Sequence, residues 1–473
     1  MVEQVRECYR ASMPKPPHPT PSPSLPRRAL LTASAASLTA SLSPWGASTA
    51  WAAAAGAVAD GVGLPLAHRR GAAFNPLARL SDLRAADRNG AMLPDGFQLR
   101  LVARSGAAPV ANRNFLWHGA PDGGACFAND KGGWVYASNA ELPDGQGGAS
   151  ALAFDASGQV IDAYPILRGT SMNCAGGPTP WQTWLSCEEF ETSLESSGRV
   201  WECDPHRAAV AGASAAKAHA GLGRFAHEAV CVDAVHRVLY LTEDAPDGRI
   251  YRYVCGNADW PAGASAPVGY QHGRLQVMRI AGLHRDTNAT GMTHRLRVGA
   301  LPMAVTWETV RQPAQGQQHV RAQLRAAGEP VPGTAFVKAE GMWIDGHTVY
   351  FVTSYDSRVW AFDIDRQSLS VRHHGKPDGS FLPAFSEPDN ITATPFGDMV
   401  IAEDGGSMQL AVLRRDGSTQ PLLRLMGHER SELTGPAFSP DGRRLYFSSQ
   451  RGTTGAAQDG MTFELLLPDS PSA

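Results

Sequence analysis

The chain has 473 residues, a formal net charge of −3 and 18% charged residues, with abundant Gly (49) and Pro (34). No Lys/Arg run and no aromatic-basic interleaving is present, so nucleic acid is not an expected partner. Glycine and proline punctuation on this scale favours many short strands and turns over long helices.

The first element in chain order is a leader. Pro26-Arg27-Arg28-Ala29-Leu30-Leu31 sets a twin-arginine pair ahead of an Ala/Ser-rich apolar stretch, and Ala50-Trp51-Ala52 offers small-residue cleavage sites. This reads as a removable signal over 1–56, with a structureless Ala/Pro tail as the bland alternative. It predicts use of the twin-arginine (Tat) export machinery and a periplasmic or secreted protein. No later apolar run is long enough to span a bilayer, so stable membrane insertion is not expected. Residues 57–94 then form an N-terminal extension, 95–465 the folded body and 466–473 a short tail. Of the seven cysteines, Cys8 lies in the leader. An even remainder in an exported protein permits disulfides, but most of the six sit inside strand-like runs, where buried free thiols are the plainer reading. No C-x-x-C pair occurs.

In the body, Phe97-Gln98-Leu99-Arg100-Leu101-Val102 is a strand, and a weak strand unit begins near Gly124-Ala125-Cys126-Phe127. Next comes Asn173-Cys174-Ala175-Gly176-Gly177-Pro178-Thr179-Pro180-Trp181, then Thr183-Trp184-Leu185-Ser186-Cys187-Glu188-Glu189, which reads as a short buried strand delivering a carboxylate pair. A further unit is placed near Thr179. Residues 229–254 show the grammar most clearly: a strand ending at Asp233, a second at 237–244, an Asp247-Gly248 turn and a third at 249–254. Residues 256–332 are insert-like, with Val305-Thr306-Trp307 their clearest β segment. The grammar returns at 340–363 and 389–413, and more weakly near Gly435-Pro436-Ala437-Phe438. Six such units, none able to bury both faces alone, predict an all-β, six-bladed β-propeller with loop insertions, its last blade completed by the strand near 97–102. A β-sandwich accounts for the recurrence less well.

On a propeller, matching ends of the innermost strands converge. Glu228, Glu340 and Asp389 take the same relative place in their units, and Cys174 lies just upstream of it. Three carboxylates and a thiolate in one pocket repel unless cations neutralise them. A soft thiolate beside hard carboxylates suits a transition metal with calcium nearby. The alternative is that each residue brackets its own strand at the surface.

The Asn-Cys-Ala-Gly-Gly-x-Thr-Pro-Trp-x-Thr-Trp-Leu-x-Cys-Glu-Glu run resembles the signature of PhoX-type alkaline phosphatases. The likeness continues through Gly223-Arg224-Phe225-Ala226-His227-Glu228-Ala229, Tyr240-Leu241-Thr242-Glu243-Asp244, Ala339-Glu340-Gly341, Pro388-Asp389-Asn390-Ile391 and Ala402-Glu403-Asp404-Gly405. The resemblance implies a six-bladed propeller that hydrolyses phosphate monoesters at a channel centre of ferric iron and calcium. By this likeness Cys174 is an iron-bound thiolate, and Glu228, Glu340 and Asp389 are metal carboxylates. Glu189, Glu243, Glu403 and Asp404 are second-tier candidates, for calcium or for bracing the ligands. His227 is a candidate donor to a ligand or phosphate, with a buried, satisfied strand histidine as its alternative. Two departures fall on the substrate side. Lys338 stands where the family has an arginine, and a lysine is a point charge where arginine offers two parallel donors. Trp117-His118-Gly119-Ala120-Pro121-Asp122 replaces an Asn-His-Glu element. Lys338, with His227, would orient the substrate. No Gly-x-Ser-x-Gly elbow, His-Glu-x-x-His or Walker loop supplies another nucleophile. A calcium-dependent, lactonase-like propeller hydrolase and a non-catalytic metal- or ligand-binding propeller remain the other readings.

Overall fold

A computed structural model describes residues 74–111, 114–191, 197–209, 216–283, 288–289, 296–375 and 385–469. The leader over 1–56, with its twin-arginine pair, lies outside the described residues, as do 57–73 of the extension and the end of the tail.

The protein is all-β, with its sheets in a propeller-like arrangement. Alternating, turn-punctuated segments pair with their sequence neighbours. Pro121–Ala128, Trp134–Ala140, Gly147–Phe154 and Val160–Thr170 form one antiparallel sheet, and Asn173–Pro178, Trp184–Glu188, Val200–Cys203 and Lys217–Ala218 form the next. A nine-stranded sheet runs from His227–Asp233 at one edge to Ala339–Asp345 at the other. It is two meanders joined by a short contact, in which Met303 and Ala304 pair with Leu369 and Ser368. Pro388–Ala393 leads a five-stranded sheet that ends on Ala91–Met92. Leu433–Phe438 leads the last sheet, whose outermost strand is Gln98–Arg104, paired with Met461–Leu466. The strand expected near 97–102 thus completes the final sheet.

The leading strands Pro121–Ala128, Asn173–Pro178, His227–Asp233, Ala339–Asp345, Pro388–Ala393 and Leu433–Phe438 are the hub strands. Each packs on the hub strand before and after it, and the last packs on the first. Apolar faces of adjacent sheets fill the space between them. In one such layer Phe351 and Trp360 stack at 5.9 Å with Phe336 edge-on to both. Burying aromatics of this size contributes about 2–3 kcal/mol each.

Two features differ from the sequence reading. The unit placed near Thr179 begins earlier, at Asn173, because Gly176 and Gly177 lie within the hub strand. At Gly177 an added Cβ would lie 1.8 Å from the Val230 carbonyl oxygen of the next sheet, so only glycine allows that approach. Cys174 is accordingly in step with Glu228 rather than upstream of it. The insert contains an α-helix, Gln317–Ala326. Its apolar side, Val320 and Leu324, is buried with Val331. Its N-terminus has no local side-chain cap; instead the Glu191 carboxylate accepts from the N–H groups of Gln318 (3.0 Å) and His319 (3.2 Å). Val305-Thr306-Trp307 lies within a strand, Met303–Thr309, as expected.

Candidate functional site

Every hub hairpin carries a register irregularity near its start. It falls after Pro121, Asn173, His227, Ala339 and Pro388, and between Thr434 and Ala437 in the last. Such a bulge re-aims a side chain. The residues just inside it are Asp122, Cys174, Glu228, Glu340 and Asp389. A second repeated bond fixes the approach to each bulge. The N–H groups of Glu141, Glu189, Asp244, Ser354, Asp404 and Gln450 donate to the carbonyls of Ala120, Met172, Ala226, Lys338, Glu387 and Glu432. Four of those acceptors, Ala120, Met172, Lys338 and Glu387, are left-handed, with φ between 42° and 53°. This conformation costs roughly 1–2 kcal/mol for a residue with a Cβ, and here it recurs around the hub entrance.

The outcome is a buried acidic cluster. Among the described residues, three trios each bring their ligand atoms within 4.8 Å of one another: Cys174, Glu189 and Glu228; Glu228, Glu340 and Asp389; and Asp122, Glu141 and Glu432. The first four candidates, Cys174, Glu228, Glu340 and Asp389, are therefore brought together, and Glu189 joins them. The Cys174 thiol donates to Asp122 Oδ2 at 3.6 Å. Both carboxylate oxygens of Glu228 are buried with no hydrogen-bond partner among the described residues. Lys338 Nζ reaches Glu340 Oε1 (3.0 Å), Asp244 Oδ2 (3.3 Å) and Ser354 Oγ (3.4 Å), and Ser354 Oγ donates to Glu340 Oε1 at 2.6 Å.

Burial dominates the electrostatics, and crowding of like charges adds to it. Burial, then Asp389 and Glu189, drives the Glu228 carboxyl well above the ordinary range. Burial and then Asp244 do the same to Glu189, and burial and then Glu340 to Asp389. Asp122 is pushed up to about 7 by burial and by Glu141, against a hydrogen bond from Gln450. Glu340 is pushed to about 7 by burial and Asp244, against Lys338 and Ser354. Burial, then Asp122 and Glu228, raises the Cys174 thiol. Burial works against the Lys338 ammonium, but Glu340 and Asp244 outweigh it and keep the charge on. The cluster holds its full negative charge only when cations share the space. A thiol among carboxylates, with orphaned oxygens at the shared corner, fits a mixed centre of a thiophilic metal and a hard cation.

Of the remaining candidates, Glu243, Glu403 and His227 lie elsewhere, while Asp404 stands at the edge of the cluster beside Glu432 and Asp389. Glu243 accepts from Arg321 (2.8 Å), Tyr251 (2.9 Å) and the Arg249 N–H (3.1 Å). Glu403 accepts from Gln409 (2.7 Å) and the N–H groups of Ser386 (2.8 Å) and Ser407 (3.1 Å). Both brace turns inside their sheets. Asp404, the next residue, stands at the entrance with Arg451 Nη2 at 3.9 Å. His227 lies against Phe225, ring centroids 3.6 Å apart, and its Nε2 meets the Gly223 carbonyl at 3.5 Å. Burial lowers it to about 3, so it is neutral. It belongs to none of the three trios.

Sequence reasoning overlooked Asp122, Glu141, Asp244, Glu432, Gln450 and Arg451. One signal was present: Pro121-Asp122 repeats Pro388-Asp389. A cavity of about 700 Å³ opens at the other end of the hub strands, lined by Phe127, Pro178, Trp343 and Phe438, away from the acidic cluster.

The family model described as alkaline phosphatase PhoX matches residues 147–377 and 372–452. No curated protein sequence matches the chain. The structure of Pseudomonas fluorescens PhoX in complex with vanadate, a transition state analogue, shares the fold. Its TM-score is 0.60 at 16% identity, covering 82% of this chain and 98% of that one. Two other structures are remote. A Xanthomonas campestris gluconolactonase has TM-score 0.40 and 12% identity, covering 83% of this chain and 99% of its own. The Agrobacterium tumefaciens calcium-binding protein regucalcin has TM-score 0.39 and 12% identity, covering 78% and 95%.

Proposed function

The chain belongs to the alkaline phosphatase PhoX family, and from this premise we propose that it hydrolyses phosphate monoesters at an iron- and calcium-containing centre in the hub of a six-bladed propeller. The observation that carries the metal centre is Glu228, whose two buried, unpartnered oxygens stand at the corner shared by two trios. Cys174, Glu189, Glu228, Glu340 and Asp389 would hold the metals, with Cys174 selecting iron. A calcium-only, lactonase-like centre has no use for that thiol. Six blades follow if the nine-stranded sheet counts as two fused at their outer edges.

A phosphate monoester brings two negative charges to an acidic pocket. Bound cations would supply charge neutralisation and a water of lowered pKa. Lys338 does the rest from the entrance. Anchored by Glu340, Asp244 and Ser354, its ammonium stays charged and offers a phosphoryl oxygen the one N–H not bonded to Glu340 or Ser354. As a point charge it attracts the group without imposing the planar, two-pronged grip of an arginine. The twin-arginine leader completes the proposal: export through the Tat machinery to a periplasmic or extracellular site. Among the described residues no helix is long and apolar enough to cross a membrane.

The test is elemental analysis of the purified mature protein together with hydrolysis of a chromogenic phosphate ester, with and without chelator. Iron and calcium are expected, with activity abolished by chelation. Cys174→Ser should lose iron and activity together. Full iron in that variant, or full activity after exhaustive chelation, would reject the centre. Export is tested separately by replacing Arg27 and Arg28 with lysines, which should hold the protein in the cytoplasm.

A further inference from the structure

The trio Asp122, Glu141 and Glu432 differs from the other two in what already faces it. Gln450 Nε2 donates to Asp122 Oδ2 and, at 2.8 Å, to Glu141 Oε2. Arg451 Nη1 pairs with Glu432 Oε1 at 2.8 Å and also donates to Gln450 Oε1. A guanidinium carries donors only. The amide oxygen of Gln450 must therefore face Arg451, which turns the amide nitrogen onto the two carboxylates. Which way a glutamine amide points is normally an assignment; here the neighbouring arginine decides it. Together the two side chains give each of the three carboxylates a donor, and all five groups are buried or nearly so.

The position of Gln450 in the fold adds a second observation. Its N–H bonds the Glu432 carbonyl, the contact that Glu141, Glu189, Asp244, Ser354 and Asp404 make in the other hub hairpins. At this register position of the six hub hairpins, four supply an acid, one a serine and one an amide. The amide and its arginine sit beside the trio that lacks Glu228.

We propose that Gln450 and Arg451 stand where a cation would otherwise sit, so that the Asp122–Glu141–Glu432 trio takes no metal and the metals gather in the two trios that share Glu228. Arg451 is a positioning residue in this account: it pairs with Glu432 directly and orients Gln450 toward the other two acids. The inference rests on the metal-centre reading above and limits its extent. It assigns this side of the hub to the chain's own nitrogen donors.

Calcium counted per chain after saturation and dialysis, on the full mature protein, tests it. Gln450→Glu restores an acid at this register position and should hold about one calcium more than the parent. Arg451→Met frees the amide to turn its oxygen inward and should also gain calcium. Arg451→Lys still donates to Gln450 and Glu432 and should keep the parental count. Equal counts in all four proteins, or loss of a calcium from the parent on Glu432→Gln, would overturn the proposal. Should the variants fold poorly, terbium diffused into crystals of the parent gives the same answer. No anomalous peak is expected between Asp122, Glu141 and Glu432, and a peak there overturns the assignment. A parent with no metal at the Glu228 trios would instead defeat the broader reading.

Discussion

Glu243 and Glu228 lie on one hairpin, where His227 pairs in register with Glu243, and both are 0% exposed. Their surroundings are opposite. Glu243 is enclosed by an arginine, a tyrosine hydroxyl and a backbone N–H. Glu228 has no donor on either oxygen among the described residues. A buried, uncompensated carboxylate is expensive, by several kcal/mol, so a fold keeps one where something outside the chain completes it. Residue type and depth are the same at both positions; the supply of donors separates a girder from a candidate ligand. Glu403 follows Glu243, and Asp389 follows Glu228.

Glu228→Gln should break the contrast most severely. It removes the corner shared by two trios, so metal content should fall and phosphomonoesterase activity should drop by more than about 100-fold. The same change should raise the melting temperature of chelator-treated protein, since a buried carboxyl no longer has to be held protonated at neutral pH. Unchanged metal content would remove Glu228 from the centre. Lys338→Ala should raise KM for a phosphate ester about 10-fold, worth about 1.4 kcal/mol, and leave the metals in place. Lys338→Arg should recover binding, and metal loss in the alanine variant would argue against a substrate role.

Glu243→Gln should cost about 3 kcal/mol of stability, because Arg321 loses a charged partner in a buried network, while the folded fraction keeps its metals. Loss of metal from folded Glu243→Gln protein would place this residue back among the ligands. The smallest effect concerns acid. Burial works to raise the Glu202 carboxyl, but hydrogen bonds from His219, Trp181 and Thr183 outweigh it and hold the pKa at about 2. A depressed carboxyl contributes stability that is complete above its unfolded pKa and is lost as pH falls from about 4.5 through about 2. The contribution is at most about 3 kcal/mol. Glu202→Gln should flatten the melting curve against pH in that window; an unchanged slope would show that the network does not hold the charge.

The parts of the site legible in the sequence are those that repeat. Glu228, Glu340 and Asp389 recur at one place in a strand–turn–strand unit, and that recurrence carries their convergence. The braces Glu243 and Glu403 share the acidic pairs with Asp244 and Asp404, and alternation along a strand cannot say which member of a pair turns inward. Glu141, Glu432, Gln450 and Arg451 come together only because the last sheet returns beside the first, a contact of long sequence separation that no local pattern encodes. Asp122 was readable from its Pro-Asp pair. The helix Gln317–Ala326 was not, because its N-terminal cap, Glu191, comes from a distant loop and no local residue marks its start.

The outermost strand of the final sheet, Gln98–Arg104, comes from the N-terminal end of the body and zips onto Met461–Leu466. The circle therefore closes only when the two ends of the body meet. Until then Asp122 has no Gln450, Glu141 has none either, and the acid pocket is an open arc facing water. On the proposed metal centre, ion capture at the hub would therefore wait until Met461–Leu466 has been made and paired. A chain shortened before Met461 should forfeit the pocket as a whole rather than lose one blade's share of it.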